Sequence, residues 1–347
     1  MTTGISERSE AEPEARPAGQ PRSVGLVVRT GRAGLAGRLR PRTLITVAGA
    51  VVFGVLLYFQ GTRGDVDPVE VVLGADPGWV LLALLAAAAS YPAAALGFLG
   101  FVPERLGAGR TVLVQLSGAF VKLVAPGGLG GMALNTRFLQ RAGVAPGEAV
   151  SSVGVGSLVG LGLHLLQLML FVSLLGFDPA AHQHVPWPVL AIAAGALVLL
   201  VAGVLAAPTA RRWVLGRLRT LLAGSLSRLR DLSRQPGRLA AGVIGQLLVS
   251  MTLVSCLYCS VRAGHGHPRF AAVAVAYLVG SAIGSASPTP AGLLAVESST
   301  AALLTAAASL GHATALGSVV LFRLITLVLP VFPGWLSLTR LQRAGAL

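Results

Sequence analysis

The feature that most constrains this chain is an apolar run interrupted by proline and glycine, met twice. Residues 111–141 read TVLVQLSGAFVKLVAPGGLGGMALNTRFLQR, with a break at Ala125, Pro126, Gly127 and Gly128. Each arm falls short of the ~17–25 residues a spanning helix needs. Proline removes a backbone donor and paired glycines let the chain turn. The spacing therefore predicts two half-length helices that enter a membrane, turn inside it and leave on the same side. Residues 270–309 repeat the pattern around Pro288, Pro290 and Gly292. Pro126-Gly127-Gly128-Leu129 aligns with Pro290-Ala291-Gly292-Leu293. Lipid cannot hydrogen-bond broken backbone, so both breaks must be covered by protein or line a cavity. Paired interruptions in corresponding places point to an inverted-repeat transporter architecture.

Composition agrees that the solvent is lipid. The chain is 54% hydrophobic and 12% charged, with mean hydropathy +0.76. Its net charge of +14 does not indicate nucleic acid, because the basic residues flank apolar runs and leave no soluble domain to carry a groove. Lys122 is the one lysine. Cys256-x-x-Cys259 lies in an apolar run and reads as small packing residues, not as a redox or metal pair.

Charge placement predicts the topology. Residues 1–42 are rich in Pro, Gly and Arg, cannot bury a core, and are expected to form a disordered basic cytoplasmic tail. Residues 43–340 form the polytopic domain, with repeat one over 43–177 and repeat two over 188–340. The expected spans are 43–60, 79–101, 146–177, 188–207, 239–262 and 312–338. Arginines mark the cytoplasmic ends, and the acidic or uncharged loops mark the outside. The expected fold is an all-α integral membrane protein with six full transmembrane helices. Two re-entrant hairpins complete an inverted repeat with both termini inside. Residues 208–238 combine arginines with leucines at helical spacing, which predicts a basic amphipathic segment on the cytoplasmic surface.

At the two breaks, APGGLGGMALNTRFLQRAGV (125–144) and SPTPAGLLAVESSTAALLTAAASLG (287–311), followed by Arg323 in LFRLITLVLP, the chain resembles a known family. This is the flippase-like membrane domain of lysylphosphatidylglycerol synthases and its stand-alone relatives. The resemblance covers roughly residues 44–341. The family commonly reads Pro-Gly-Gly-x-Gly-x-x-Glu at the second break, with a later Arg in the last span. This chain matches at Pro290, Gly292, Glu297 and Arg323, and departs with Ala291 and Ala295. The first signature keeps Pro126, Gly127, Gly128 and Arg137. The resemblance implies lipid handling, without naming the lipid. Only residues 342–347 follow the last span, so neither an aminoacyl-transfer domain nor lipid aminoacylation is expected here.

Glu297 is the sole carboxylate of the second hairpin, and an ionisable group at membrane depth is a functional candidate by default. Its structural alternative is an ion pair with Arg323 or Lys122, and the resemblance favours Arg323. Lys122 is the matching candidate in the first hairpin, to bind a lipid phosphate or to neutralise Glu297. Asn135 can satisfy the broken backbone or touch a head group. Arg137 and Arg141 suit snorkelling anchors as well as head-group contacts. The glycines and prolines of both breaks are primarily structural, but half-helix ends facing a cavity can also bind phosphate. His182, His184, His265 and His267 form two outer-loop pairs too poor in carboxylates for a convincing metal site. His164 reads as a packing residue. No catalytic triad, phosphate-binding loop or paired carboxylates occur, so neither an enzyme nor a cofactor is expected. The expected function is translocation of a phospholipid or polyprenyl-linked lipid across the cytoplasmic membrane. The partner would be an anionic or phosphate-bearing lipid. The alternative is a non-transporting scaffold that binds lipid and recruits a cell-envelope enzyme.

Overall fold

A computed structural model describes Met1, Glu70 and residues 73–102, 104, 106–124, 129–176, 234–287, 289 and 291–347. All but Met1 belong to one unit, Ile45–Leu347. The expected spans 43–60 and 188–207 lie outside the described residues, as do most of the tail and residues 208–233 of the basic segment.

The described elements are helical, in the order α1 (Pro77–Phe101), α2 (Ala108–Val124), α3 (Leu129–Arg141), α4 (Pro146–Gly176), α5 (Pro236–Ala263), α6 (Phe270–Ala286), α7 (Ala295–Ala308), α8 (His312–Arg323) and α9 (Val331–Arg343). A π-helical stretch, Leu324–Val328, joins α8 to α9. Four segments are long and apolar enough to cross a membrane: α1, α4, α5 and the continuous stretch His312–Arg343. The arms α2, α3, α6 and α7 have only 17, 13, 17 and 14 residues. Local chemistry explains the starts. Asp76 caps α1 by accepting from the amides of Gly78 (2.7 Å) and Trp79 (3.2 Å), with Pro77 in the first turn. Pro146 and Glu148 open α4, where a carboxylate suits the positive end of the helix dipole.

The axis of the bundle is an antiparallel pairing of α1 with α5. A Cβ on Gly100 would lie 2.2 Å from the Gly242 nitrogen, and one on Gly245 would lie 2.1 Å from the Gly97 nitrogen. Only glycine permits that approach, which maximises dispersion contact where lipid supplies no hydrophobic drive. At the other end, the Asp76 amide donates to the Ala263 carbonyl (3.0 Å), and Trp79 meets Tyr258 edge to face. This seam was not anticipated from the sequence, although the Gly-x-x-Gly spacing is visible in both helices.

Around it the contacts are exchanged between halves. The first arm of each hairpin packs on the last span of the other half: α2 on α9, and α6 on α4. The second arm packs on the last span of its own half: α3 on α4, and α7 on α8. Gly334 sits so close to α2 that a Cβ would be 2.7 Å from the Leu116 carbonyl oxygen. His164 of α4 donates from Nε2 to the Leu278 carbonyl of α6 (2.9 Å), a packing role as expected. The largest buried cluster, with Val254, Leu257, Leu278, Leu304, Leu316 and Phe322, gathers α5 to α8. Leu81, Leu85, Leu161, Leu165, Leu166 and Met169 are exposed on α1 and α4, an apolar exterior fit for lipid. The protein is a multi-pass membrane protein by these helices.

Candidate functional site

The second break determines the site. Between α6 and α7 the chain passes through three left-handed residues: Ala291 (φ 53), Gly292 (φ 65) and Leu294 (φ 71). Ala291 and Leu294 carry side chains in a conformation that favours glycine. The turn holds itself by side-chain bonds. Ser287 and Thr289 share a hydroxyl–hydroxyl contact (2.8 Å), and Thr289 donates to the Leu293 carbonyl (2.9 Å). The flanking arms meet through Gly280 and Gly284. A Cβ there would lie 2.1 Å from Thr300 Oγ1 and 2.0 Å from Val296 Cγ2.

Arg323 closes this hairpin. It donates from Nε to Glu297 Oε1 and from Nη2 to the Ala291 carbonyl (3.0 Å). One guanidinium thus neutralises the buried carboxylate and satisfies a carbonyl freed by the break, which lipid could not do. Arg323 ends α8 directly before the π-helical stretch, and such widened turns recur at functional sites. The carboxylate is 1% exposed and the Arg323 side chain 16%. Glu297 Oε2 and Thr300 Oγ1, one turn apart, are buried with no hydrogen-bond partner among the described residues.

Lys122 completes the charge constellation. It lies in the last turn of α2, within Coulombic range of Arg323, and makes no ion pair among the described residues. Its side chain has open surface, yet protein surrounds it at longer range. That combination belongs to a side chain standing in a crevice. The phenol of Tyr277 on α6 also lies within Coulombic range of Arg323. A lysine, an arginine and one carboxylate therefore converge, a formal net charge of +1 with each group in its ordinary ionised form. Glu297 takes Arg323 as its partner; Lys122 does not serve in that role.

The other expected residues separate. Asn135 accepts from Gln115 Nε2 (3.2 Å), which ties α3 to α2 and spends its carbonyl on the hairpin itself. Arg137 and Arg141 are exposed near the end of α3. Gly292 is buried in the turn, where a Cβ would lie 2.8 Å from the Gly284 carbonyl oxygen. Pro126, Gly127, Gly128, Pro288 and Pro290 lie outside the described residues, as do His182 and His184. His265 bonds the Gly74 carbonyl (3.3 Å), and Arg262 donates to His267 while stacking 4.9 Å over Trp79. Among the described residues no group of three or more potential metal ligands occurs. Cys256 and Cys259 are buried and unbridged. Sequence reasoning missed Tyr277, Thr300 and the carbonyl of Ala291. Tyr277 was open to notice as the one phenol in an apolar arm; a backbone carbonyl has no signal in sequence.

A family model described as the lysylphosphatidylglycerol synthase TM region matches residues 45–334. No curated protein matches the chain.

Proposed function

The chain belongs to the lysylphosphatidylglycerol synthase transmembrane-region family, and from that premise we propose that it moves a phosphate-bearing lipid across the cytoplasmic membrane. Membership makes it a membrane protein of lipid metabolism or transport. The finer reading rests on one observation: the only lysine, from the first hairpin, lies within Coulombic range of Arg323, which pairs with Glu297 in the second. Lys122 stands roughly 20 Å along α2 from Ala108, and Arg323 roughly 16 Å along α8 from His312, at 1.5 Å per residue. In a hydrocarbon core ~30 Å thick, both reach mid-depth. Under the inverted topology they arrive from opposite faces. The exchanged packing of α2 on α9 and α6 on α4 supports that repeat, and the short arms support two re-entrant hairpins.

In this reading the head group enters the crevice beside Lys122 and Arg323, while the acyl or polyprenyl chain stays in lipid. The hairpins alternate which side the crevice faces. The action is transfer, with no bond made or broken in the lipid. Purified protein in vesicles should speed movement of a fluorescent phospholipid between leaflets. Glu297→Gln should abolish that movement while the protein still folds and inserts, because glutamine keeps an acceptor for Arg323 and loses the charge. Vesicles that scramble no faster than empty ones would remove the transport reading and leave a lipid-binding scaffold. Orientation has its own check. A cysteine at Ala313 should label from outside and one at Gln342 should not; the reverse pattern overturns the topology.

A further inference from the structure

We infer that the site takes up one proton with each anionic head group it binds, and that Glu297 is the group that accepts it; this rests on the lipid-phosphate reading above. The empty site holds Lys122, Arg323 and Glu297, a formal net charge of +1 with each group in its ordinary ionised form. An anion approaching the crevice reaches Arg323, which is partly exposed, and not Glu297, which is 1% exposed. Guanidinium offers five donors in a planar fork suited to phosphate. Among the described residues only Nε and Nη2 have hydrogen-bond partners, Glu297 and the Ala291 carbonyl. A phosphate on Arg323 therefore brings a second anion against the buried carboxylate. Two like charges sharing one cation in a desolvated place are costly, and a proton on one of them removes the conflict.

The geometry provides for that proton. Glu297 Oε2 is buried without a partner, so an acceptor position stands open. Thr300, one turn on along the same helix, also has a buried oxygen with no partner among the described residues, and it makes no hydrogen bond to Glu297. A metal cation in that place would sit beside Arg323 and near Lys122, so the proton is the cation that the charge balance admits. The step is a simple association: a proton from water on the open side forms an O–H bond at the Glu297 carboxylate, and nothing is oxidised or displaced covalently. With a monoanion and a proton aboard, the site again carries +1. The loaded and empty sites are then electrically equivalent.

Among the described residues the other titratable groups facing this carboxylate are few. α7 carries no further ionisable residue. α6 contributes Tyr277, and α2 contributes Lys122. α8 contributes Arg323 and also His312, which lies roughly 16 Å away along that helix.

The test uses the full chain in neutral detergent with dihexanoyl phosphatidylglycerol as probe, a phosphodiester whose own charge is constant between about pH 5 and 8. Calorimetry in buffers of different ionisation enthalpy counts the protons bound per probe. The expected result is close to one, with affinity tightening up to about tenfold for each unit of acidification. Infrared difference spectra should show a protonated-carboxyl band on probe addition, shifted by 13C-glutamate labelling. Glu297→Gln should bind with no proton uptake and no pH dependence. Lys122→Gln should bind more weakly yet still take up the proton. The infrared and calorimetric readings on the unaltered protein stand even if the Glu297 variant fails to fold. Probe binding with no proton uptake and no pH dependence overturns this inference alone. Absence of probe binding at every pH overturns the anion site and the inference together.

Discussion

The two hairpins meet the same demand, an apolar helix interrupted by proline and glycine, by different means. The second packs its arms through Gly280 and Gly284 and pins its turn with Arg323, which also holds Glu297. The first joins its arms by the Gln115–Asn135 bond, and Gly118 and Gly131 have no neighbouring atom within 4 Å of a would-be Cβ. Its cation, Lys122, faces a crevice without a carboxylate of its own. One hairpin thus combines tight packing with internal neutralisation, and the other keeps free space and an uncompensated charge. The contrast suggests a fixed partner and a receptive one. A charge already committed to the fold holds the structure, while a charge left over is available to a ligand.

The largest expected effect separates these roles. Arg323→Gln strands a buried carboxylate, which costs about 3–5 kcal/mol when one partner of such a pair is removed. Denaturant unfolding in detergent should show that loss, and Arg323→Gln combined with Glu297→Gln should be less harmful than Arg323→Gln alone. Lys122→Gln should change stability by under about 1 kcal/mol while slowing lipid movement. Equal destabilisation by the lysine change would erase the distinction between the two cations.

Glycine substitutions sharpen the comparison at the next scale. Gly284→Ala drives a methyl group into Val296 and should cost about 1–3 kcal/mol. Gly118→Ala meets open space and should be neutral or stabilise by up to about 1 kcal/mol through helix propensity. Thermal unfolding of the two variants side by side reads the difference; similar losses would mean that the hairpins are packed alike.

The smallest effect concerns the strain in the second turn. Ala291 has a φ of 53°, a region that costs a residue with a Cβ about 1–2 kcal/mol. Ala291→Gly should raise stability by up to about 1 kcal/mol after the entropy that glycine loses on folding. A decrease would show that the methyl group makes contacts worth more than the strain. Arg323 donates to the carbonyl of this residue, which ties the strained turn to α8.

The sequence by itself determined that this chain is a helical membrane protein, where its arms break, which family it resembles and that Glu297 has a cation to answer it. Apolar run length, proline and glycine are local signals, and a lone carboxylate in lipid demands a partner whatever surrounds it. Residues 111–141 and 270–309 could be divided into arms on this basis, and the helices α2, α3, α6 and α7 follow the division closely. Spacing left open which cation that partner is, the resemblance favoured Arg323, and tertiary structure decided it. Lys122 and Arg323 are equally charged and equally plausible from spacing, and only the packing of α7 on α8 brings the guanidinium onto Glu297 and the Ala291 carbonyl. The glycine seam between α1 and α5 belongs to the same class. Gly97, Gly100, Gly242 and Gly245 look like ordinary small residues until two backbones approach so closely that no Cβ fits between them, and that distance is a property of the pair.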